Sequence, residues 1–139
     1  MPLLARWPGK IRAGSTSEHV CAFWDLLPTL CELVQAPVPK ETEGVSFLST
    51  LLGREGQQTH SSLYWEYHSD GSSQAVRLDD WKAVRTHVKN HPDAAIELYN
   101  LRSDEGELTN VAAQHPDIVA IAREIMATRT KSPVAKWNF

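Results

Sequence analysis

Four short segments in the second half of the chain have the pattern of β-strands and are separated by turn residues. In residues 63–67, large apolar and aromatic side chains occupy alternate positions, as in a half-buried strand. Residues 74–78 and 81–85 follow, joined only by Asp79-Asp80, a connection typical of a β-hairpin. Residues 96–100 form the fourth segment. Because connections this short join antiparallel strands, an antiparallel sheet of three to four strands is predicted.

An amphipathic helix is predicted after this sheet, beginning near Pro116. Its apolar residues recur at steps of three and four positions, which places them on one face of a helix: Ile118, Ile121, Ala122, Ile125 and Met126. Pro116 suits the first turn, where its missing N–H costs no hydrogen bond. The helix is predicted to cover one face of the sheet. Residues 131–139 are predicted to be extended, with Trp137 and Phe139 as packing anchors.

The first half of the chain is predicted to contain two short strands. Residues 3–7 are strand-like and end at Pro8-Gly9, a strong turn pair. Residues 20–24 form a second apolar run, which is interpreted as a buried strand. Both assignments rest on short apolar runs alone.

Two helices are predicted to follow these strands. Residues 26–34 have helical apolar spacing, and Asp25 is placed to act as the N-cap. A shorter helix is predicted over residues 46–52, ending at Gly53. The polar stretch 54–59 is the best internal boundary, and it separates this half from the sheet.

The composition excludes several classes of function. Hydrophobic residues make up 42% and charged residues 22% of the 139-residue chain, as in globular proteins. The net charge of −3 gives no excess of basic residues, so nucleic acid is not an expected partner. No apolar run approaches the roughly 20 residues of a membrane helix, so no membrane association is expected. The chain begins directly in strand-like residues without a secretory signal, so a longer parent protein is expected.

Several segments of the chain together resemble the sulfatase family. They keep the order and spacing of that family over nearly the whole chain, and they are residues 2–14, 24–30, 43–47, 63–66, 81–85, 97–101, 104–111 and 115–116. The resemblance is to arylsulfatase-like enzymes of the alkaline-phosphatase superfamily, and residues 64–68 resemble bacterial sulfatases that act on glycans. It implies an α+β fold, with residues 1–57 as the C-terminal end of the large α/β domain and residues 58–139 as a small C-terminal subdomain.

The resemblance also implies the chemistry of the parent protein. Sulfatases of this family hydrolyse a sulfate ester with a formylglycine, made in a Cys-x-Pro-x-Arg motif, and a divalent metal such as calcium. Neither Cys21 nor Cys31 is followed by the required Pro and Arg, and both are interpreted as buried free thiols. Asp79-Asp80 is interpreted as a turn rather than a calcium site. The fragment alone is therefore expected to have no cofactor and no activity.

The partners implied are a missing N-terminal catalytic half and a sulfated small molecule or glycan. A bacterial parent would be periplasmic or secreted, whereas the compartment of the fragment is left open. Exposed apolar residues of the first half, including Leu3, Leu4, Val20, Phe23 and Trp24, are expected to drive self-association of the fragment.

His68 is the candidate substrate-binding residue, and no catalytic or metal-binding residue is assigned. It follows an aromatic strand and precedes the Asp70-Gly71 turn, so its imidazole could donate to a sugar hydroxyl or a sulfate. The alternative is a surface-loop histidine. Glu66 is expected to be exposed or to pair with Arg77 or Arg85 across the sheet.

Three aromatic residues have two possible roles. Trp65, Trp81 and Tyr99 could form a platform on which a sugar stacks, but the alternation favours the core of the sheet. Two other functions stay open for the whole chain. One is a non-catalytic carbohydrate-binding or structural module, and the other is part of a phosphate or phosphonate ester hydrolase of the same superfamily.

Overall fold

The chain divides into two units in the computed structural model, which describes residues 3–129 and 131–138. The units are Met1–His60 and Ser61–Phe139. The division lies close to the boundary predicted after residue 57. That the first unit closes a larger domain stays a prediction.

The first unit contains no strand among its described residues, so the two predicted strands are wrong. Residues 3–7 have no regular secondary structure, and the carbonyl of Trp7 accepts hydrogen bonds from the amides of Lys10 and Ile11 in the predicted Pro8-Gly9 turn. The predicted strand 20–24 runs instead into a turn of 3-10 helix, Phe23–Asp25. A strand requires a neighbour to take up its backbone hydrogen bonds, and neither segment has one.

Two α-helices follow in this unit. Helix α1, Leu26–Val34, has the predicted bounds and ends at Gln35, whose positive φ of 58° is a left-handed C-cap. Helix α2, Leu48–Leu51, is a single turn and is shorter than predicted. Most of the apolar face of α1 is exposed, with Leu27, Leu30 and Val34 all open to solvent.

The second unit contains the predicted antiparallel sheet. Its strands are β1 (Leu63–Tyr67), β2 (Ser73–Leu78), β3 (Trp81–Thr86) and β4 (Glu97–Asn100), and they lie in the order β1-β2-β3-β4. Asp79 and Asp80 form the tight turn between β2 and β3, as predicted. The predicted α+β fold with a four-stranded sheet and a C-terminal helix is therefore confirmed.

Helix α3, Pro116–Thr128, packs on one face of this sheet. Val76, Ala83 and Leu98 occupy one row of the strand register and are buried. Ala122 and Met126 of α3 join them in the core, whereas Ile121 of the predicted stripe is exposed. None of the helices within residues 3–129 and 131–138 has the length and apolar character needed to span a bilayer.

The C-terminal segment differs from the predicted extended tail. Ala135–Trp137 form a turn of 3-10 helix, and the side chain of Asn138 closes the loop by bonding to the backbone of Ser132. Phe139, the second predicted anchor, lies outside the described residues.

Candidate functional site

His68 lies immediately after edge strand β1, between a carboxylate and an indole. Its Nε2 atom is 3.6 Å from Oε2 of Glu66. Its ring centroid is 6.4 Å from that of Trp137, which the C-terminal loop holds there. The structure thus brings the predicted substrate-binding residue together with a carboxylate, which accepts hydrogen bonds, and with an aromatic ring.

Glu66 is held by partners different from those predicted. The hydroxyl of Tyr64 donates to its Oε1 at 2.6 Å, and the Arg129 guanidinium forms an ion pair with the same oxygen. The Arg129 side chain is only 5% exposed, so this is a largely buried pair. The expected partners Arg77 and Arg85 are both wrong, because Gln74 lies opposite Glu66 in the register.

Gln74 extends this set of contacts across the sheet. It is buried, its Nε2 donates to the Tyr64 hydroxyl at 2.9 Å, and Arg85 Nε donates to its Oε1 at 3.1 Å. Burial, together with the hydrogen bond to Glu66, raises the pKa of Tyr64 well above its usual range. Burial and then repulsion from Arg123 lower the pKa of Arg85. The phenol therefore stays a neutral donor that fixes the orientation of Glu66.

The three candidate platform aromatics do not come together. Trp81 lies on the α3 face of β3, packs against the core, and has its ring centroid 4.6 Å from that of His115. Trp65 and Tyr99 lie on the opposite face. Their register partners, Ala75 and Lys82, are each one position away from a residue on the α3 face. Trp65 is 38% exposed, so its predicted place in the core is wrong.

A second cluster, which the sequence did not predict, surrounds Asp25 in the first unit. Its carboxylate is 1% exposed and accepts hydrogen bonds from the amides of Ala22 and Val45 and from Nε2 of His60. Asp25 occupies the N-cap position of α1, but its side chain makes no capping bond there. His60 had no predicted role, and no local pattern links it to a residue 35 positions earlier.

Two further titratable groups, His19 and Cys21, lie near this carboxylate. Burial is the main cause that lowers the pKa of His19. Burial, reinforced by the charge of Asp25, raises the pKa of the Cys21 thiol, which disfavours the reactive thiolate. Cys21 and Cys31 are both free thiols, as predicted, but they are partly rather than fully buried.

The residues of the described chain do not fit a calcium site. Within residues 3–129 and 131–138, no group of three or more His, Cys, Asp or Glu side chains could hold a metal ion. Asp80 instead forms an exposed ion pair with Arg102 at 3.4 Å. Asp79 has a positive φ of 52°, which a tight turn requires.

Comparison with known proteins gives one consistent result. A family model described as N-sulphoglucosamine sulphohydrolase, C-terminal, matches residues 1–132. The chain is 31% identical to the N-acetylglucosamine-6-O-sulfatase of Bacteroides thetaiotaomicron over 80% of its own length and 21% of that protein. It is 31% identical to human arylsulfatase K, covering 85% of this chain and 23% of the other.

A solved structure agrees with these relatives. The structure of a 2-O GAG sulfatase superimposes with a TM-score of 0.62 at 31% identity, covering 74% of this chain and 23% of that one. The chain thus spans about a quarter of the length of the proteins that it matches.

Proposed function

This chain belongs to the sulfatase family as its C-terminal portion, and from that premise we propose that it completes a sulfuric ester hydrolase whose reacting groups lie on the preceding part of the same polypeptide. The observation that carries the proposal is the family match over residues 1–132, on a sheet-and-helix fold shared with a GAG sulfatase. The sequence contains no Cys-x-Pro-x-Arg motif. The 139-residue chain is therefore inactive alone.

The substrate of the complete hydrolase is a sulfated glycan. The names of two similar proteins, an N-acetylglucosamine-6-O-sulfatase and a 2-O GAG sulfatase, support this class of substrate. In this chain His68 contributes a ring nitrogen that contacts the glycan, and its location next to Glu66 supports that role. Calcium and the formylglycine belong to the rest of the hydrolase, which is periplasmic or secreted in a bacterial source.

The catalytic half of the hydrolase covers helix α1. Leu30 is 55% exposed and Val34 is 68% exposed, an arrangement that leaves an apolar face of α1 without cover in the isolated chain. Because relatives of the chain are about four times as long, the occupant of this face is the preceding part of the same polypeptide. Without it, the exposed face drives self-association.

The test compares this chain with a longer protein that includes the upstream reading frame. Each is assayed on para-nitrophenyl sulfate with calcium. The longer protein should turn over and should contain a Cys-x-Pro-x-Arg motif, whereas the present chain should stay at background. Turnover by the chain alone, or an upstream frame without that motif, contradicts the proposal.

Two parallel arms test the other functions left open by the sequence. Faster turnover of para-nitrophenyl phosphate than of the sulfate would indicate a phosphate ester hydrolase. A stop codon directly upstream, together with binding of sulfated oligosaccharides by the isolated chain, would indicate a carbohydrate-binding module.

A further inference from the structure

A cleft in the first unit is lined by the turn after Trp7 and by residues in or next to helices α1 and α2. Its volume is about 320 Å³, at the lower end of the range for small-molecule sites. Its apolar wall consists of Trp7, Leu33, Leu48 and Leu52. Leu48 is 6% exposed and Trp7 is 37% exposed. The cleft therefore has an apolar floor at Leu48 and an indole ring at its rim.

Backbone hydrogen bonds hold the segments that surround this cleft. The amide of Lys10 donates to the carbonyl of Trp7 at 3.0 Å, and the amide of Arg54 donates to the carbonyl of Ser49 at 2.8 Å. Gln35, which also lines the cleft, caps the end of α1, so carbonyls of the last turn of that helix already have a donor. The wall of the cleft is thus formed before any ligand arrives.

The polar part of the wall carries more positive than negative charge. Lys10 and Arg54 are cationic, Glu32 is anionic, and all three residues are exposed. Within residues 3–129 and 131–138, none of their side chains forms an ion pair or a hydrogen bond. Both cations are therefore available to an anion from outside the chain. Hydrogen bonds from Lys and Arg to a carboxylate are among the stronger ones in proteins, because both groups are charged.

We propose that this cleft binds a small aromatic carboxylate. The ring of the ligand packs on Leu48 at the floor and against the indole of Trp7 at the rim. Lys10 and Arg54 donate to the carboxylate oxygens. Glu32 repels a second negative charge, so the ligand carries only one. A neutral amide of the same shape lacks the charge that the two cations attract, and it binds more weakly.

The cleft lies on a different side of α1 from the apolar face that the catalytic half covers. Successive residues of a helix are turned by about 100° around its axis. Leu33 of the cleft therefore lies one turn after Thr29, which is buried, whereas Leu30 and Val34 share the exposed face. Binding in the cleft also requires no sulfatase chemistry, so this inference is independent of the proposed hydrolase function.

The experiment titrates the intact ¹⁵N-labelled chain with phenylpropionate and, separately, with the neutral phenylpropanamide. The indole N–H of Trp7 and the backbone amide of Arg54 should shift with phenylpropionate, at a Kd on the order of 1 mM. Phenylpropanamide should bind at least about tenfold more weakly. Lys10→Gln and Arg54→Gln should each weaken binding of the carboxylate by about fivefold or more.

Two control variants accompany these titrations. Arg12→Gln removes an exposed cation from the same N-terminal segment, outside the wall of the cleft, and should leave binding unchanged. Leu30→Glu disrupts the exposed face of α1 and should also leave binding unchanged, which separates the cleft from unspecific binding to that face. The wild-type shift of Trp7 is read directly, so it does not depend on the folding of any variant.

Three outcomes overturn the proposal. The first is no shift of the Trp7 indole at about 20 mM phenylpropionate, and the second is equal binding of the carboxylate and its amide. The third is loss of binding in Leu30→Glu together with unchanged binding in Lys10→Gln and Arg54→Gln, because the ligand would then lie on the exposed face of α1.

Discussion

His60 donates from Nε2 to Oδ1 of Asp25 over 2.8 Å, and this bond joins the end of the first unit to the start of helix α1. The same carboxylate accepts the amides of Ala22 at 2.7 Å and Val45 at 2.9 Å. One buried side chain therefore binds three separate segments. The first unit has no sheet among its described residues, and the hydrogen bonds to the Asp25 carboxylate connect its loops instead.

Replacing Asp25 by Asn should lower the free energy of unfolding by about 2 to 4 kcal/mol, because an amide –NH₂ then faces groups that also donate. The measurement is urea unfolding followed by circular dichroism. Asp93→Asn, an exposed aspartate of the second unit, is the control and should change stability by less than about 0.5 kcal/mol. Equal stability of the two variants would show that the Asp25 contacts contribute nothing.

Gly44 is a position where even one added carbon should be harmful. A Cβ atom there would overlap the carbonyl oxygen of Trp24 and lie 2.9 Å from Cγ of Pro28. Gly44→Ala should therefore destabilise the chain by about 1 to 3 kcal/mol. Gly106→Ala is matched to it, because there the nearest atom to the new carbon is Cγ of the exposed Leu108 side chain, at 3.3 Å. The thermal midpoint should drop for the first variant and hold for the second.

Glu66→Gln tests the buried pair with Arg129. Removing the charge leaves a guanidinium that is 5% exposed beside a neutral group, at a cost of roughly 2 to 4 kcal/mol. Glu107→Gln breaks the more exposed pair with Lys82, 2.6 Å long, and should cost less than about 1 kcal/mol. Chemical denaturation of both variants gives the comparison. A larger loss for Glu107→Gln would mean that burial does not decide the strength of these pairs.

The hydrogen bonds of Asp104 should make the stability of the chain depend on pH. Its carboxylate accepts the amides of Leu108 and Thr109, and these bonds lower its pKa from the ordinary value of 3.8. A carboxylate with a lowered folded pKa stabilises the fold above its ordinary pKa, and this contribution is lost as pH falls through the folded value. Between pH 6 and about 4, Asp104→Asn should thus melt below wild type, and the gap should close at lower pH.

Glu105→Gln, at an exposed neighbouring position, is the control for Asp104. It should follow the wild-type curve throughout. A constant gap between Asp104→Asn and wild type down to the acid limit would contradict the assignment.

Self-association should depend on the apolar face of α1. Leu30→Glu places a charge at the centre of that face and should weaken association by about tenfold or more, as measured by sedimentation velocity. Leu108→Glu changes an 88% exposed leucine of a loop in the second unit and should have no effect. A wild-type chain that stays monomeric at high concentration would contradict the expectation that this face drives self-association.

The elements that the sequence predicted well are those with a clear local signal. Helix α1 was predicted with the observed bounds because its apolar residues have helical spacing, although the side chain of Asp25 does not form the expected capping bond. The β2–β3 hairpin was predicted from Asp79 and Asp80, whose turn is also local. The predicted strands 3–7 and 20–24 failed because an apolar run shows that a segment can pair, not that a partner is present.

At the candidate site, too, the sequence identified one residue, whereas its contacts with distant residues were not predicted. His68 was identified from its place after an aromatic strand, and its neighbour Glu66 was expected to pair with Arg77 or Arg85. The register and the end of α3 instead give it Arg129. Trp137 was expected to pack but not to approach His68.

The sequence by itself determined the class of the fold, the turns that separate the strands of the sheet, and the family. Each of these follows from the periodicity, the turn residues or the order of motifs along the chain, which can be read from neighbouring positions. Only the tertiary structure decided that Asp25 binds His60, that Glu66 binds Arg129 and that Trp137 faces His68. These pairs are far apart in the chain, and which distant side chains meet depends on packing and register rather than on any local period.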